Sequence, residues 1–326
     1  MTQKYGLNKH LYLTLAGFVG CFALTFTTQS LAQQSNIIPD NSLGAESSRL
    51  NRNVLINGIN ADRIDGGAKR GSNLFHSFSE FNITDGQAVY FVNPSGVENI
   101  LTRVTGGNAS NIFGTLGVDG AANLFLINPN GIVFGENARL DLGGSFVGTT
   151  ASGVQFGEQG NFSTINPQTP GLLTINPSAL FFNQINQKAI IENKGFLRVP
   201  NGESLLFAGG DVSLDGAFLG ALGGRIELGG LADAGSIGLD FSSQGLKLQF
   251  SDVGQKANVS LVNNSLIGVT AGGGGDVLIN ANNLDILTGS NIYAGIIDDF
   301  GSANKQAGDI TINASDTVRL ESNSSI

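Results

Sequence analysis

The sequence predicts an all-β chain wound into a β-solenoid, and three observations carry that expectation. From residue 36 onward, apolar runs of four or five residues alternate with Gly, Asn, Asp or Pro, as short strands alternate with turns. None of the runs is followed by an amphipathic helix, which disfavours βαβ architectures. The runs also recur: Gly275–Ala281 (GDVLINA) returns as Gly308–Ala314 (GDITINA), with looser relatives at Gly210–Leu214 and Gly224–Leu228. Self-similar strands joined by Gly and Asn turns are the mark of coils piled on one another. Neighbouring coils then lie about 4.8 Å apart, aliphatic over aliphatic and Asn over Asn. At roughly 20 residues per coil the chain makes about 14 coils, a rod on the order of 65 Å long. A sandwich or Greek-key barrel is the rival all-β reading.

Taken in chain order, the first element is a targeting segment. Lys4, Lys9 and His10 form a positive start, Leu11 to Thr27 carries no charge, and Ser30-Leu31-Ala32 offers small residues for cleavage. Residues 1–32 therefore read as a secretory signal peptide. A retained membrane helix is the alternative, but the apolar stretch is short for a span. Phe18-Val19-Gly20-Cys21 loosely matches a lipoprotein cleavage box, although the apolar run continues past the cysteine.

Cleavage after Ala32 removes Cys21, the only cysteine, so stability must come from a large or repetitive core and not from disulfides. Thiol catalysis and cysteine metal sites are excluded. No Asp or Glu precedes residue 33, and removal of Lys4 and Lys9 leaves 15 basic against 26 acidic residues, a balance of −11. Such a surface repels phosphate backbones, so nucleic acid is not an expected partner.

The strands that follow include Val89–Val92, Leu124–Ile127, Ser204–Phe207, Arg225–Leu228 and Val277–Ile279. Between them, four of the seven prolines follow Asn, at Asn93-Pro94, Asn128-Pro129, Asn166-Pro167 and Asn176-Pro177. Pro fixes φ, and the residue before it is held extended. An Asn at the first turn position can accept a bond from the backbone two residues on. In Asn128-Pro129-Asn130-Gly131, both Asn130 and Gly131 tolerate positive φ, so a stiff corner between two strands is expected.

The stretch FLINPNGIVFGENARLDLGGSFVGTTA (125–151) closely resembles the secretion domain of filamentous haemagglutinin-type proteins, exported by the two-partner (TPS) pathway. Asn128, Pro129, Asn130, Gly131 and Ile132 match the family's NPNGI motif. Its NPNL motif falls at Asn93-Pro94-Ser95-Gly96, where Asn93 and Pro94 alone carry over. Residues 66–83, 97–118 and 223–230 are similar as well, in the version common in cyanobacteria, so the match spans roughly 36–230. The resemblance implies a right-handed parallel β-helix with an N-terminal β cap. It implies export through an outer-membrane β-barrel transporter with POTRA domains, and an adhesin-like protein at the surface of a Gram-negative bacterium, with host or cell-surface glycans or proteins as further partners. The seven motif residues are then the secretion signal. The domain expectation is a signal peptide at 1–32, the secretion domain at 33–230, and further β-helix repeats at 231–326 in a chain that continues beyond residue 326.

Residues suited to chemistry are sparse. His76 is the one histidine left after cleavage and sits in an aromatic strand, LFHSFSEF. Asp211, Asp215, Glu227, Asp233 and Asp240 are the carboxylates that a β-helix acting on polysaccharide would use. Asp211 and Asp215 neighbour Gly and read as turn residues. Gly272–Asp276 faintly resembles a calcium-binding nonapeptide, but that site needs stacked copies. No metal, cofactor or catalytic residue is expected. A secreted polysaccharide-active enzyme and a purely structural matrix protein remain as the other readings.

Overall fold

Each coil is assembled from three short strands, one per face. In one coil these are Thr115–Asp119, Asn123–Ile127 and Ile132–Phe134. All three pair parallel with Ala88–Val92, Asn99–Val104 and Ser110–Ile112 of the coil before. The structure is a computed structural model, and it describes residues 34–183, 189–242, 245–251, 254–296 and 306–326. The expected signal peptide, 1–32, lies outside the described residues. The chain is a parallel β-helix.

The second face is the longest. Asn73–Asn82, Asn99–Val104, Asn123–Ile127, Phe146–Thr149, Ser204–Gly209, Arg225–Gly230, Asp276–Ala281 and Ile310–Ala314 stack in that order. These eight rungs replace the fourteen or so that a uniform coil predicts. Uninterrupted coils are longer than assumed: 26 residues from Asn73 to Asn99, 24 to Asn123 and 22 to Ser145. Two excursions lengthen others, to 59 residues between Ser145 and Ser204 and 51 between Arg225 and Asp276.

Both excursions leave between the second and third faces, and they join. Gly153–Gln155, Asn161–Ser163 and Ala179–Phe182 come from the first; Gly235–Ser242 and Gly245–Gln249 come from the second. Ala179–Phe182 pairs antiparallel with Gly235–Ser242, which makes one five-stranded sheet. This sheet covers the outer side of the second face. Strands there are consequently buried on both sides: Leu74, Ile100 and Leu124 point into the coil, while Phe75, Leu101 and Phe125 pack beneath the covering sheet. A strand buried on both sides needs a continuous apolar run instead of alternation, as LFLI at 124–127 shows. Each buried Phe or Leu contributes about 1.5–3 kcal/mol relative to exposure.

The GDVLINA repeat lies in register over GDITINA, Val277 on Ile310 through Ala281 on Ala314. Its glycine is fixed by backbone contact. A Cβ on Gly224, Gly275 or Gly308 would fall 2.0, 2.5 or 2.1 Å from the carbonyl oxygen of the coil below, where only hydrogen fits. Gly224–Leu228 belongs to this stack. Gly210–Leu214 does not: Val212–Asp215 lies on the third face against Val259–Val262. A Gly-Asp corner followed by a strand serves at either corner, so local similarity did not identify the face.

The N-terminal end is closed by antiparallel strands. Asn36–Pro39 runs against Asn73–Asn82, and Ser48–Ile56 forms a hairpin with Ile59–Gly66, which starts the first face. These strands cover an edge that would otherwise template further pairing. This is the expected β cap.

Candidate functional site

The Asn128 turn joins Asn123–Ile127 on the second face to Ile132–Phe134 on the third. Gly131 N–H donates to Asn128 O at 3.1 Å and closes it. Asn130 N–H donates to Asn128 Oδ1 at 3.0 Å, the bond expected of an Asn at the first turn position. The amide of Asn128 then reaches down to the preceding coil, donating to Asn108 O and Ser110 Oγ, both at 3.0 Å. Asn130 Nδ2 adds a bond to Gly106 O at 2.8 Å. From the following coil, Thr149 O accepts from Asn128 N–H and Ile190 O from Ile132 N–H. One turn thus ties three successive coils. Of the two residues expected to tolerate positive φ, Gly131 alone adopts it, at +115°. Asn128 is 0% exposed and Ile132 sits in the core, while Pro129 is half-buried.

Asn93 occupies a different corner, between the first face and the second. Its Nδ2 donates to Val97 O at 3.0 Å, and its Oδ1 accepts from Ala122 N–H of the following coil at 3.0 Å. Pro94, Ser95 and Gly96 are exposed, with Gly96 at φ +73°. The two Asn-Pro turns are therefore not repeats of one position. They lie at opposite ends of adjacent second-face strands, Asn93 just before Asn99–Val104 and Asn128 just after Asn123–Ile127.

Between these turns lies a polar centre that sequence reading missed. Arg103 is 1% exposed. Its Nε donates to Ser77 Oγ at 2.9 Å, Nη1 to Ser163 O at 2.8 Å, and Nη2 to Ser42 Oγ and Gln168 O at 2.9 Å each. The guanidinium stands 4.1 Å from the centroid of the Phe162 ring, a cation–π contact. Burial pulls its pKa down to about 10, against the attraction of Asp40. Asp40 accepts from Ser42, from Ser77 Oγ at 2.8 Å and from Thr105 Oγ1 at 2.6 Å. Burial pushes its carboxyl up, but the bonds from Ser42, Thr105 and Ser77 outweigh that and hold it below the usual range. Cap, second face and first excursion meet on this one side chain. The signal in the sequence was a cation inside the apolar strand NILTRV, a residue type almost never buried unless paired.

His76 is fully buried between Phe78 and Phe91, with Ser48 Oγ 3.0 Å from Nδ1. Burial lowers its pKa to about 3. A histidine neutral when folded and free to ionise when unfolded stabilises the fold above about pH 6.5 and stops doing so as acid is added toward pH 3. The urea midpoint is expected to fall between pH 6.5 and 4.5 (about), and to fall less in His76→Phe. Parallel declines in the two proteins would assign the acid sensitivity elsewhere.

The carboxylates do not converge. Asp211 and Asp215, on the third face, accept from Asn258 and Asn263 of the next coil. Glu227 is sealed beneath the covering sheet, where burial raises its pKa against bonds from Leu248 N–H and Arg225. Asp240 lies opposite Lys247 on the covering sheet, and Asp233 is exposed in a turn. Gly272–Gly275 forms the corner that leads into Asp276–Ala281.

The TPS secretion domain model matches residues 35–279, about three-quarters of the chain. The chain belongs to the TPS secretion domain family. It is a secreted two-partner-secretion exoprotein, and such proteins leave Gram-negative cells with an outer-membrane partner. The Heme/hemopexin-binding protein of Haemophilus influenzae is 37% identical over 81 residues, 25% of this chain and 9% of that protein. The chain thus spans under a tenth of that relative's length. Among solved structures, the HMW1 secretion domain from Haemophilus influenzae is 16% identical, with a TM-score of 0.47 over 85% of this chain and 84% of that one. The filamentous hemagglutinin secretion domain is 14% identical, with a TM-score of 0.36 over 89% and 99%. In this TPS domain, then, the motif-bearing turns are the corners that fasten the first complete coils together.

Proposed function

We propose that residues 33–230 carry the export signal of an adhesin-like, non-enzymatic exoprotein, that 1–32 deliver the chain to the periplasm, and that POTRA domains of an outer-membrane β-barrel receive it. Asn128, Pro129, Asn130, Gly131 and Ile132, with Asn93 and Pro94, act in this signal. The observation that carries the reading is the burial of Asn128. A side chain with no exposed surface is not read on the folded protein. It acts either in the extended chain before folding, or by locking the coil that nucleates the helix outside the cell.

Asn128→Ala tests whether the turn acts in export at all. It leaves the buried Ser110 Oγ without its partner, at about 1–3 kcal/mol, and also removes the bonds to the less buried Asn108 O and Asn130 N–H. Purified Asn128→Ala is expected to unfold at lower urea, and its transporter-dependent appearance in the medium is expected to drop. Lowered stability with undiminished export would sink the signal role and leave the turn as a structural corner.

A further inference from the structure

A cleft of about 360 Å³ opens where the covering sheet meets the 165–169 loop, and Arg103 lies at its base. That volume falls in the range of small-molecule sites, about 300–1,000 Å³. Three features of its lining bear on what it could hold. First, Asn161, Asn166, Gln168 and Asn183 all line it, and the side chain of none of them bonds to another described residue. Within the coil stack, many Asn side chains are spent on neighbouring coils, as in the Asn73–Asn99–Asn123 ladder and the Asn258–Asn283 and Asn280–Asn313 pairs. The four in the cleft belong to the excursion, outside the coil stack, and are exposed.

Second, Phe181 is partly exposed and no described ring packs on it. It lies across Gly153, where a Cβ would fall 2.7 Å from its tip, so the glycine lets the ring lie low over the sheet. Third, Arg103 spends four of its five N–H groups on Ser77, Ser163, Ser42 and Gln168, and one Nη1 hydrogen finds no described acceptor. It touches no carboxylate directly; Asp40 is reached only through the hydroxyls of Ser42 and Ser77.

A flat apolar ring, a ring of unspent carboxamides and a fixed cation suit one kind of small molecule: a pyranose with a carboxylate. We infer that the cleft binds a single hexuronic acid residue, its face on Phe181, its hydroxyls on Asn161, Asn166, Gln168 and Asn183, and its carboxylate on Nη1 of Arg103. The site stands on the folded domain alone and does not rest on the export reading.

The test uses the full chain, purified and folded, titrated with glucuronic and galacturonic acid and with glucose and galactose, followed by calorimetry or by amide shifts. Uronates are expected to bind about tenfold or more tightly than the neutral sugars. Phe181→Ala and Gln168→Ala are expected to weaken uronate binding by about tenfold, and Gln168→Ala, at an exposed side chain, to do so without moving the urea midpoint. Gln168 is exposed, so this variant avoids the folding risk of changing Arg103. No shift with either uronate up to about 10 mM, a range that covers weak sites, would overturn the proposal. So would equal binding of acidic and neutral sugars, or undiminished binding in Phe181→Ala.

Discussion

Arg103→Met is expected to destabilise this domain by about 3–5 kcal/mol, the scale of breaking a buried charged network by removing one partner. The methionine fills much of the same space, so the loss reports the polar contacts and not a cavity. Ser163 O and Gln168 O lose their donors, and the half-buried Asp40 loses the attraction of a nearby cation. A domain of this size has on the order of 5–15 kcal/mol in total. The variant is therefore expected to fold, with its urea midpoint sharply reduced. A double-mutant cycle with Asp40→Asn measures how much of that loss is shared. A change under about 1 kcal/mol for Arg103→Met would mean that water replaces the guanidinium without cost, and that the cap and the first excursion are held by their apolar contacts alone.

Gly275→Val is expected to carry the second large effect, about 3 kcal/mol or more, because the clash is with backbone that cannot turn aside. The new Cβ would meet Gly224 O at 2.5 Å and Val269 Cβ at 2.9 Å. The damage should be local. Amide exchange is expected to quicken in Arg225–Gly230, Asp276–Ala281 and Ile310–Ala314, while Asn99–Val104 keeps its protection, as stacked coils interact chiefly with their neighbours. Gly171→Ala is the control: nothing lies within 4 Å of its added Cβ and its φ is ordinary, so a change within about 0.5 kcal/mol is expected. Equal effects of the two substitutions would show that chain entropy, not the close approach, governs these glycines.

Much of the coil was legible. GDVLINA and GDITINA fall in register because residues that stack must agree in size and polarity. The Asn ladders follow the same rule, and the Asn128 turn closes with the bond that its side chain invites. The excursions were not legible. Their strands, such as Ala179–Phe182 and Gly235–Ser242, have the same length and turns as coil strands, and antiparallel pairing between segments so far apart leaves no periodic trace. The coil count failed for that reason and because uninterrupted coils run to 22–26 residues. Arg103 was passed over because its partners, Ser42, Ser77, Ser163 and Gln168, come from four separate segments that only the fold assembles.

The shared covering sheet has a consequence in time for a chain delivered N-terminus first. When Ala179–Phe182 has emerged, its partner strand is still more than fifty residues behind. Coils as far as Phe146–Thr149 can already close, but the first half of the sheet waits with an open edge, and Phe125 waits for Phe241 to reach it. Arrival of Gly235–Ser242 seals edge and apolar surface together. In a chain that emerged in that order the sheet would work as a clasp: once residue 242 was out, backsliding would require two distant segments to be torn apart at once.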